Sequence, residues 1–91
     1  MNTKVKSILE HMLEDAQDAI SYVKETGTME CFVRDKKTRK AVVMSLLNIG
    51  ELANHLPREF IQTHNKLPWR SMINMRNIAA HGYHIMNIDV V

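Results

Sequence analysis

Residues 35–56 read DKKTRKAVVMSLLNIGELANHL, and this stretch decides the fold. Asp35 can cap the first free N–H groups of a helix, so we predict a helix from about Asp35 to about Leu56. Gly50 inside this helix costs about 1 kcal/mol relative to alanine, which indicates that it allows a neighbouring helix to approach closely. The apolar positions cover more than half of the circumference, as expected for a helix at the centre of a bundle: Val42, Val43, Leu46, Leu47, Ile49 and Leu52.

The segment before this stretch predicts a first helix, from about Thr3 to Glu25. Gly27 follows it as a C-terminal stop. Apolar residues recur in this helix at intervals of three and four, which places them in one stripe on one face. The stripe consists of Val5, Ile8, Met12, Ala16, Ala19, Ile20 and Val23.

Two prolines predict two further helices. Pro57 is well placed as the first residue of the short helix PREFIQTHN, and Pro68 as the first residue of PWRSMINMRNIAAH, because the N–H that proline lacks is not needed there. We expect Gly82 to end this fourth helix. Strand-like alternation is absent over any useful length, so the sequence predicts an all-α protein, an antiparallel four-helix bundle. The apolar residues of the predicted fourth helix that we expect to pack in the bundle are Trp69, Met72, Ile73, Met75 and Ile78.

The length of 91 residues supports a single domain over residues 1–91. At this size folding hides only roughly 60% of the surface of the unfolded chain, so we expect association with a partner. Cys31 is the only cysteine, which excludes an intrachain disulfide and a multi-cysteine zinc cluster and fits a cytoplasmic protein. We interpret Cys31 as a small apolar filler. Charges interrupt every apolar run near the N-terminus, so we expect no signal peptide and no membrane span.

Positive charge is concentrated in the stretch from Arg34 to Lys40, which contains five basic residues and one acidic residue, Asp35. Such a local field can attract a polyanion, although a solvated helix face is the common alternative. If the partner is RNA, the residues that we expect to contact it are Lys36, Lys37, Arg39, Lys40 and Arg70.

The sequence RNIAAHGY, from Arg76 to Tyr83, holds the candidate chemistry. Arginine offers a permanent charge and a fork of donors that matches phosphate, and histidine can accept and return a proton, so the pair suits metal-free phosphodiester cleavage. Asn77 and His81 share one helix face, whereas Arg76 and His81 lie roughly 140° apart on a regular helix. They converge only through the long arginine side chain or an unwound terminus, which Gly82 would permit. The alternative is a surface arginine with a capping histidine.

Other candidate sites are weaker. His81 and His84 are three residues apart, but nothing like HExxH is present and such a pair is usually solvent-facing or capping, so we predict no metal site, even with His11, His55 or His64 as remote ligands. No glycine-rich phosphate loop occurs, so we expect no cofactor and no ATP binding by this chain. Glu51 either points towards a cleft or is exposed or ion-paired.

Three motifs carry a resemblance to a known family: IGE at residues 49–51, PW at residues 68–69 and MRNIAAHGY at residues 75–83. Together they resemble the HepT-like family, a branch of the HEPN helical ribonucleases, over roughly residues 40–83. The family motif is an arginine, a short spacer, a histidine, one residue and a tyrosine. Arg76, His81 and Tyr83 satisfy it.

The resemblance implies a ribonuclease toxin of a toxin–antitoxin pair, acting as a homodimer in which two motif copies line one cleft and cutting RNA without a metal. It implies that Arg76 binds the scissile phosphate, that His81 is the acid and base, and that Asn77 orients the site. The partner would be a minimal nucleotidyltransferase antitoxin. That enzyme would neutralise the toxin by transferring AMP from ATP to Tyr83.

The resemblance also has a departure, because family members usually continue past the motif tyrosine through an acidic and aromatic final helix. This chain ends at Val91, so we expect a HEPN-type bundle without that helix. The alternative function is a non-catalytic helical adaptor, or substrate-binding subunit, of a nucleotidyltransferase. A generic helical interaction module is a third possibility. The intact pair of Arg76 and His81 favours the ribonuclease.

Overall fold

The protein is all-α, as predicted. A computed structural model describes residues 2–88, with side chains for residues 2–81. Its helices are α1 (Thr3–Thr26), α2 (Met29–Arg34), α3 (Lys36–Asn54), α4 (Arg58–Thr63) and α5 (Trp69–Ile88). The described residues contain no strand, and none of their helices combines the length and apolar character that a bilayer crossing requires. The bundle therefore has three long helices and two of six residues, rather than the four predicted.

Local sequence signals set the ends of the first and third helices. The Asn2 side chain accepts a hydrogen bond from the backbone N–H of Val5 at 2.7 Å and caps α1, which ends at Gly27 with a φ of 81°. The Asp35 carboxylate accepts from the backbone N–H of Thr38 at 3.1 Å and caps α3. This hydrogen bond lowers the pKa of Asp35. The predicted roles of Gly27 and Asp35 are confirmed.

Other boundaries differ from the prediction. Helix α2 was not predicted, because six residues are too few to show a helical period; the Thr28 hydroxyl caps it by accepting from the N–H of Cys31 at 3.1 Å. Pro57 and Pro68 each precede a helix, α4 and α5 respectively, rather than starting it. The prediction that Gly82 ends the last helix is wrong, since α5 continues to Ile88. A glycine inside a helix costs only about 1 kcal/mol, and no proline follows it.

Helix α3 is the central helix, as its wide apolar cover predicted, and it packs against both α1 and α5. One core cluster joins the start of α1, the end of α3 and the start of α5, so consecutive long helices run antiparallel. Its buried members are Val5, Ile8, Met12, Ile49, Ala53, Leu56 and Trp69.

Several predicted apolar contacts do not form. Ile20 is 56% exposed, Val23 is 38% exposed and Ile78 is 71% exposed. Ile78 lies on the side of α5 away from α3, and Ile20 lies beside the buried stripe of α1 rather than within it. The interpretation of Cys31 as an apolar filler is also wrong. Helix α2 buries none of its residues, and this thiol is exposed.

Candidate active site

Arg76 lies where α5 passes close to the backbone of α3 at Gly50. A Cβ atom added to Gly50 would lie 2.7 Å from both the Cβ and the backbone nitrogen of Arg76, and 2.9 Å from the carbonyl oxygen of Met72. Real Cβ atoms essentially never approach other atoms to less than 3.0 Å. The prediction that Gly50 allows close helix approach is therefore confirmed, and the helix it admits carries the motif arginine.

The residue after Gly50 contacts the same arginine. A carboxylate oxygen of Glu51, Oε1, lies 3.3 Å from Nη1 of Arg76, and the two side chains are 43% and 33% exposed. Glu51 is thus ion-paired, one of the two alternatives that the sequence left open. A guanidinium group has five N–H donors, so a contact through Nη1 leaves donors that a phosphate can bind. Glu51 holds the arginine at the α3–α5 interface while part of the group faces solvent.

The start of α5 is anchored by aromatic contacts. The indole Nε1–H of Trp69, a residue only 5% exposed, donates to the backbone carbonyl of His64 at 2.7 Å. Phe60 meets Trp69 edge-on with ring centroids 6.0 Å apart, and it stacks on the His64 ring at 4.2 Å. These contacts fix where α5 begins, and therefore the position of Arg76 two turns later.

His81 and Asn77 are exposed on α5, four residues apart on one face, as predicted. Arg76 instead faces α3. Because α5 is continuous through Gly82, the unwound terminus that would have brought Arg76 and His81 together does not form. The two side chains start roughly 140° apart around the helix axis, so within one chain only the reach of the arginine can close that gap.

The structure divides the basic residues. Lys36, Lys37, Arg39 and Lys40 lie at the start of α3, where the guanidinium of Arg39 also donates to the carbonyl of Val33. Arg70 is exposed at the start of α5, which packs beside the other end of α3. A helix of 19 residues is roughly 28 Å long, so Arg70 is not part of the cluster at the start of α3.

Two candidate residues lie outside the described side chains. Tyr83 and His84 belong to the helical part of α5, but only its backbone is described there. Among the side chains that are described, no three His, Cys, Asp or Glu residues come together in a way that could hold a metal ion. The described part of the site therefore consists of Arg76, Glu51, Asn77 and His81.

Comparison with known proteins identifies the family. The family model described as ribonuclease HepT-like matches residues 9–91. The chain belongs to the HepT-like family. This HepT-like chain is 36% identical over 87 residues to a protein of Methanocaldococcus jannaschii that is named provisionally as an RNase, a match that covers 96% of the chain and 71% of the relative. No solved structure matches this HepT-like chain.

Two further relatives support the same assignment. A protein of Caldanaerobacter subterraneus subsp. tengcongensis, also named provisionally as an RNase, is 37% identical over 83 residues, which is 91% of the HepT-like chain and 73% of the relative. A protein of Thermococcus cleftensis with the provisional name ribonuclease HepT is 37% identical over 82 residues, covering 87% and 74% of the two chains. The resemblance inferred from the motifs around Arg76 is therefore confirmed.

Proposed function

We propose that this HepT-like chain is a metal-independent ribonuclease, the toxin of a toxin–antitoxin pair. The observation that carries the proposal is that Arg76, in a chain of this family, is held by Glu51 at 3.3 Å while remaining 33% exposed. A side chain held in this way is positioned to bind an incoming phosphate. The exposed His81 on the same helix provides a group that can transfer protons.

The reaction that these groups suit is attack of an RNA 2′-hydroxyl on the adjacent phosphorus. His81 accepts the proton of the 2′-hydroxyl, the bond from phosphorus to the 5′-oxygen breaks, and the proton is returned to that leaving oxygen. Arg76 stabilises the negative charge that develops on the phosphate oxygens. Asn77, on the same face as His81, orients the substrate or the imidazole. The products are a 2′,3′-cyclic phosphate and a free 5′-hydroxyl.

The homodimer is part of this proposal, because Arg76 and His81 point to different sides of α5 within one chain. Two copies that met along their α5 helices would present two arginines and two histidines to one RNA strand. The cations at the start of α3, Lys36, Lys37, Arg39 and Lys40, would bind RNA phosphates outside the cleavage site. Arg70 would contribute separately, from the start of α5.

Neutralisation by a minimal nucleotidyltransferase is the regulatory part of the proposal. Transfer of AMP from ATP to the Tyr83 hydroxyl releases pyrophosphate and adds a negative phosphodiester to the motif. That charge competes with RNA for Arg76. Intact-mass measurement after incubation with the transferase and ATP tests this step, and an adduct that persists on Tyr83→Phe would exclude Tyr83 as the acceptor.

The decisive experiment is cleavage of total RNA and purified tRNA in EDTA by the wild type, Arg76→Ala and His81→Ala. Arg58→Ala, which removes an exposed cation of α4, is the matched control. We expect cleavage by the wild type and the control and its loss in both motif variants, with unchanged helical circular dichroism in all four proteins. No cleavage by folded wild type would refute the proposal.

The second candidate is a non-catalytic adaptor that binds the nucleotidyltransferase. It is favoured by the continuous α5, which keeps Arg76 and His81 on different sides of one helix. For an adaptor, Arg76 serves only the structural ion pair with Glu51. We would then expect Arg76→Ala to change stability and binding of the transferase, with no RNA cleavage by any variant.

A further inference from the structure

One face of α1 is not used by the core. Its residues follow one another at alternating intervals of four and three, which is the spacing of the a and d positions in a coiled coil. Every one of them is exposed, including the two large apolar residues, Leu13 at 59% and Ile20 at 56%. We call this face the α1 strip, and it consists of Lys6, Glu10, Leu13, Gln17, Ile20 and Lys24.

The α1 strip is separate from the buried stripe of the same helix. At roughly 100° per residue its six residues fall within a sector of about 80°, and the centre of that sector is roughly 130° from the centre of the core face. The core face holds Val5, Ile8, Met12 and Ala19. Burial of α1 against α3 therefore does not cover the α1 strip.

The order of residues along the α1 strip is self-complementary. Starting from Gln17, an apolar residue comes next in each direction, Leu13 on one side and Ile20 on the other. Beyond these lie opposite charges, Glu10 on one side and Lys24 on the other. When two copies of α1 run antiparallel with Gln17 at the two-fold axis, each Leu13 therefore meets Ile20 of the second copy, and each Glu10 meets Lys24 of the second copy.

The surface of α1 already contains a hollow for such a contact. Gln17, Ile20, Ser21 and Lys24, with Glu25, line a shallow cavity on the exposed side of the helix. The first four stand at positions i, i+3, i+4 and i+7, which is the set of four residues that forms a hole for one knob in a coiled coil. The knob that the antiparallel arrangement brings there is Leu13 of the second copy.

We propose that the α1 strip is an antiparallel homodimer interface centred on Gln17. The occupant is a second copy of this chain, because its apolar residues and its charges match those of the strip itself in the antiparallel direction. The interface uses neither Arg76 nor His81, so it stands independently of the proposed ribonuclease activity. It also leaves α5 available for a second contact, so that the two interfaces together would build assemblies larger than a dimer.

Disulfide trapping tests the register and direction of the interface. In a Cys31→Ser background, Gln17→Cys places two thiols at the two-fold axis, and we expect a covalent dimer under mild oxidation. Leu13→Cys is the matched control. Position 13 lies roughly 6 Å along the helix from the two-fold axis, so in an antiparallel pair the two thiols are about 12 Å apart and cannot form a disulfide. A parallel, in-register pair would cross-link through Leu13→Cys as well as through Gln17→Cys, and cross-linking of Leu13→Cys would therefore overturn the proposal.

Charge reversal tests the ends of the interface on the non-oxidised protein. Glu10→Lys and Lys24→Glu each place like charges together, and we expect either variant to weaken self-association through the α1 strip about 10-fold in sedimentation analysis, with any association through α5 unchanged. The double variant restores opposite charges and should restore the association that the wild type shows. Glu10→Lys also removes the ion pair with Lys6 at 3.9 Å. Glu59→Lys, at an exposed position on α4, is the control for added charge away from the interface.

The outcomes separate this proposal from the others. A monomeric wild type, or a double variant that self-associates no more tightly than the single variants, would refute the α1 interface. The α1 strip would then be a surface for a different protein. Loss of RNA cleavage without a change in these measurements would bear only on the proposed ribonuclease. Circular dichroism of each variant checks that the exposed substitutions leave the helices folded.

Discussion

Substitution of Gly50 by alanine adds a methyl group where α3 has no room for one. The new Cβ would lie 2.7 Å from two atoms of Arg76, one of which is its backbone nitrogen, and 2.9 Å from the carbonyl oxygen of Met72. Backbone atoms cannot rotate away as a flexible side chain can. Helix α5 must therefore move by about 0.7 Å to reach an ordinary contact of 3.4 Å.

Two opposing effects decide the free energy of unfolding. Overpacking of this kind costs roughly 1–3 kcal/mol, and contact with backbone favours the upper part of that range. Alanine also gains about 1 kcal/mol over glycine inside a helix. We expect the net effect of Gly50→Ala to be a destabilisation of about 1–2 kcal/mol, which lowers the melting temperature by roughly 5–15 °C in a domain of this size.

Urea unfolding provides the assay, followed by circular dichroism and by the fluorescence of the buried Trp69. Asn48 is exposed on α3, so the difference between Asn48→Gly and Asn48→Ala measures the helix-propensity gain without a clash. If Gly50→Ala stabilises the protein by that same amount, the packing argument is wrong. Because Gly50→Ala displaces Arg76, it should also lower the rate of the proposed RNA cleavage, by roughly 10- to 100-fold.

Three further predictions follow from individual contacts. Asp35→Ala should lower the melting temperature at neutral pH, because it removes the cap of α3. The hydrogen bond from the Thr38 N–H lowers the pKa of Asp35 below its ordinary value of 3.8, so the wild type should lose this advantage as the pH falls from 3.8 towards the lower pKa of the folded state. The melting temperatures of the wild type and Asp35→Ala should therefore converge at that low pH. Glu51→Gln should lower the free energy of unfolding in urea by less than about 1 kcal/mol, since its ion pair with Arg76 is partly exposed, but it should slow RNA cleavage. A cleavage rate that falls only in proportion to the amount of folded protein would contradict a positioning role for Glu51. Trp69→Ala should cost about 3–5 kcal/mol, and a smaller loss in calorimetry would contradict its place in the core.

The accuracy of the helix predictions followed the range of the interactions involved. The cap at Asp35 and the stop at Gly27 depend on residues within one turn, so a local pattern was sufficient to predict them. The close approach at Gly50 was also predictable, because a glycine in an apolar helix needs a compensating contact. Gly82 showed the opposite, since a glycine permits a helix to end but does not require it to.

The motif around Arg76 and His81 pointed to the HepT-like family, and that family assignment is confirmed. That these two residues perform the chemistry stays a prediction, and their arrangement on α5 was not predicted. Their placement on different sides of α5 depended on whether the helix unwinds, which is settled by backbone hydrogen bonding over the whole segment. The separation of Arg70 from the cations at the start of α3 likewise depended on the antiparallel packing of two helices.

The sequence by itself determined the helical class, the central position of α3 and the family, because these follow from periodicity, capping and motifs that are local in the chain. Only the tertiary structure decided that Glu51 holds Arg76 and that Ile20 is exposed while Ala19 is buried. The physical reason is that the pattern of one helix defines which side chains share a face. Which of those faces is covered depends on where the neighbouring helices pack.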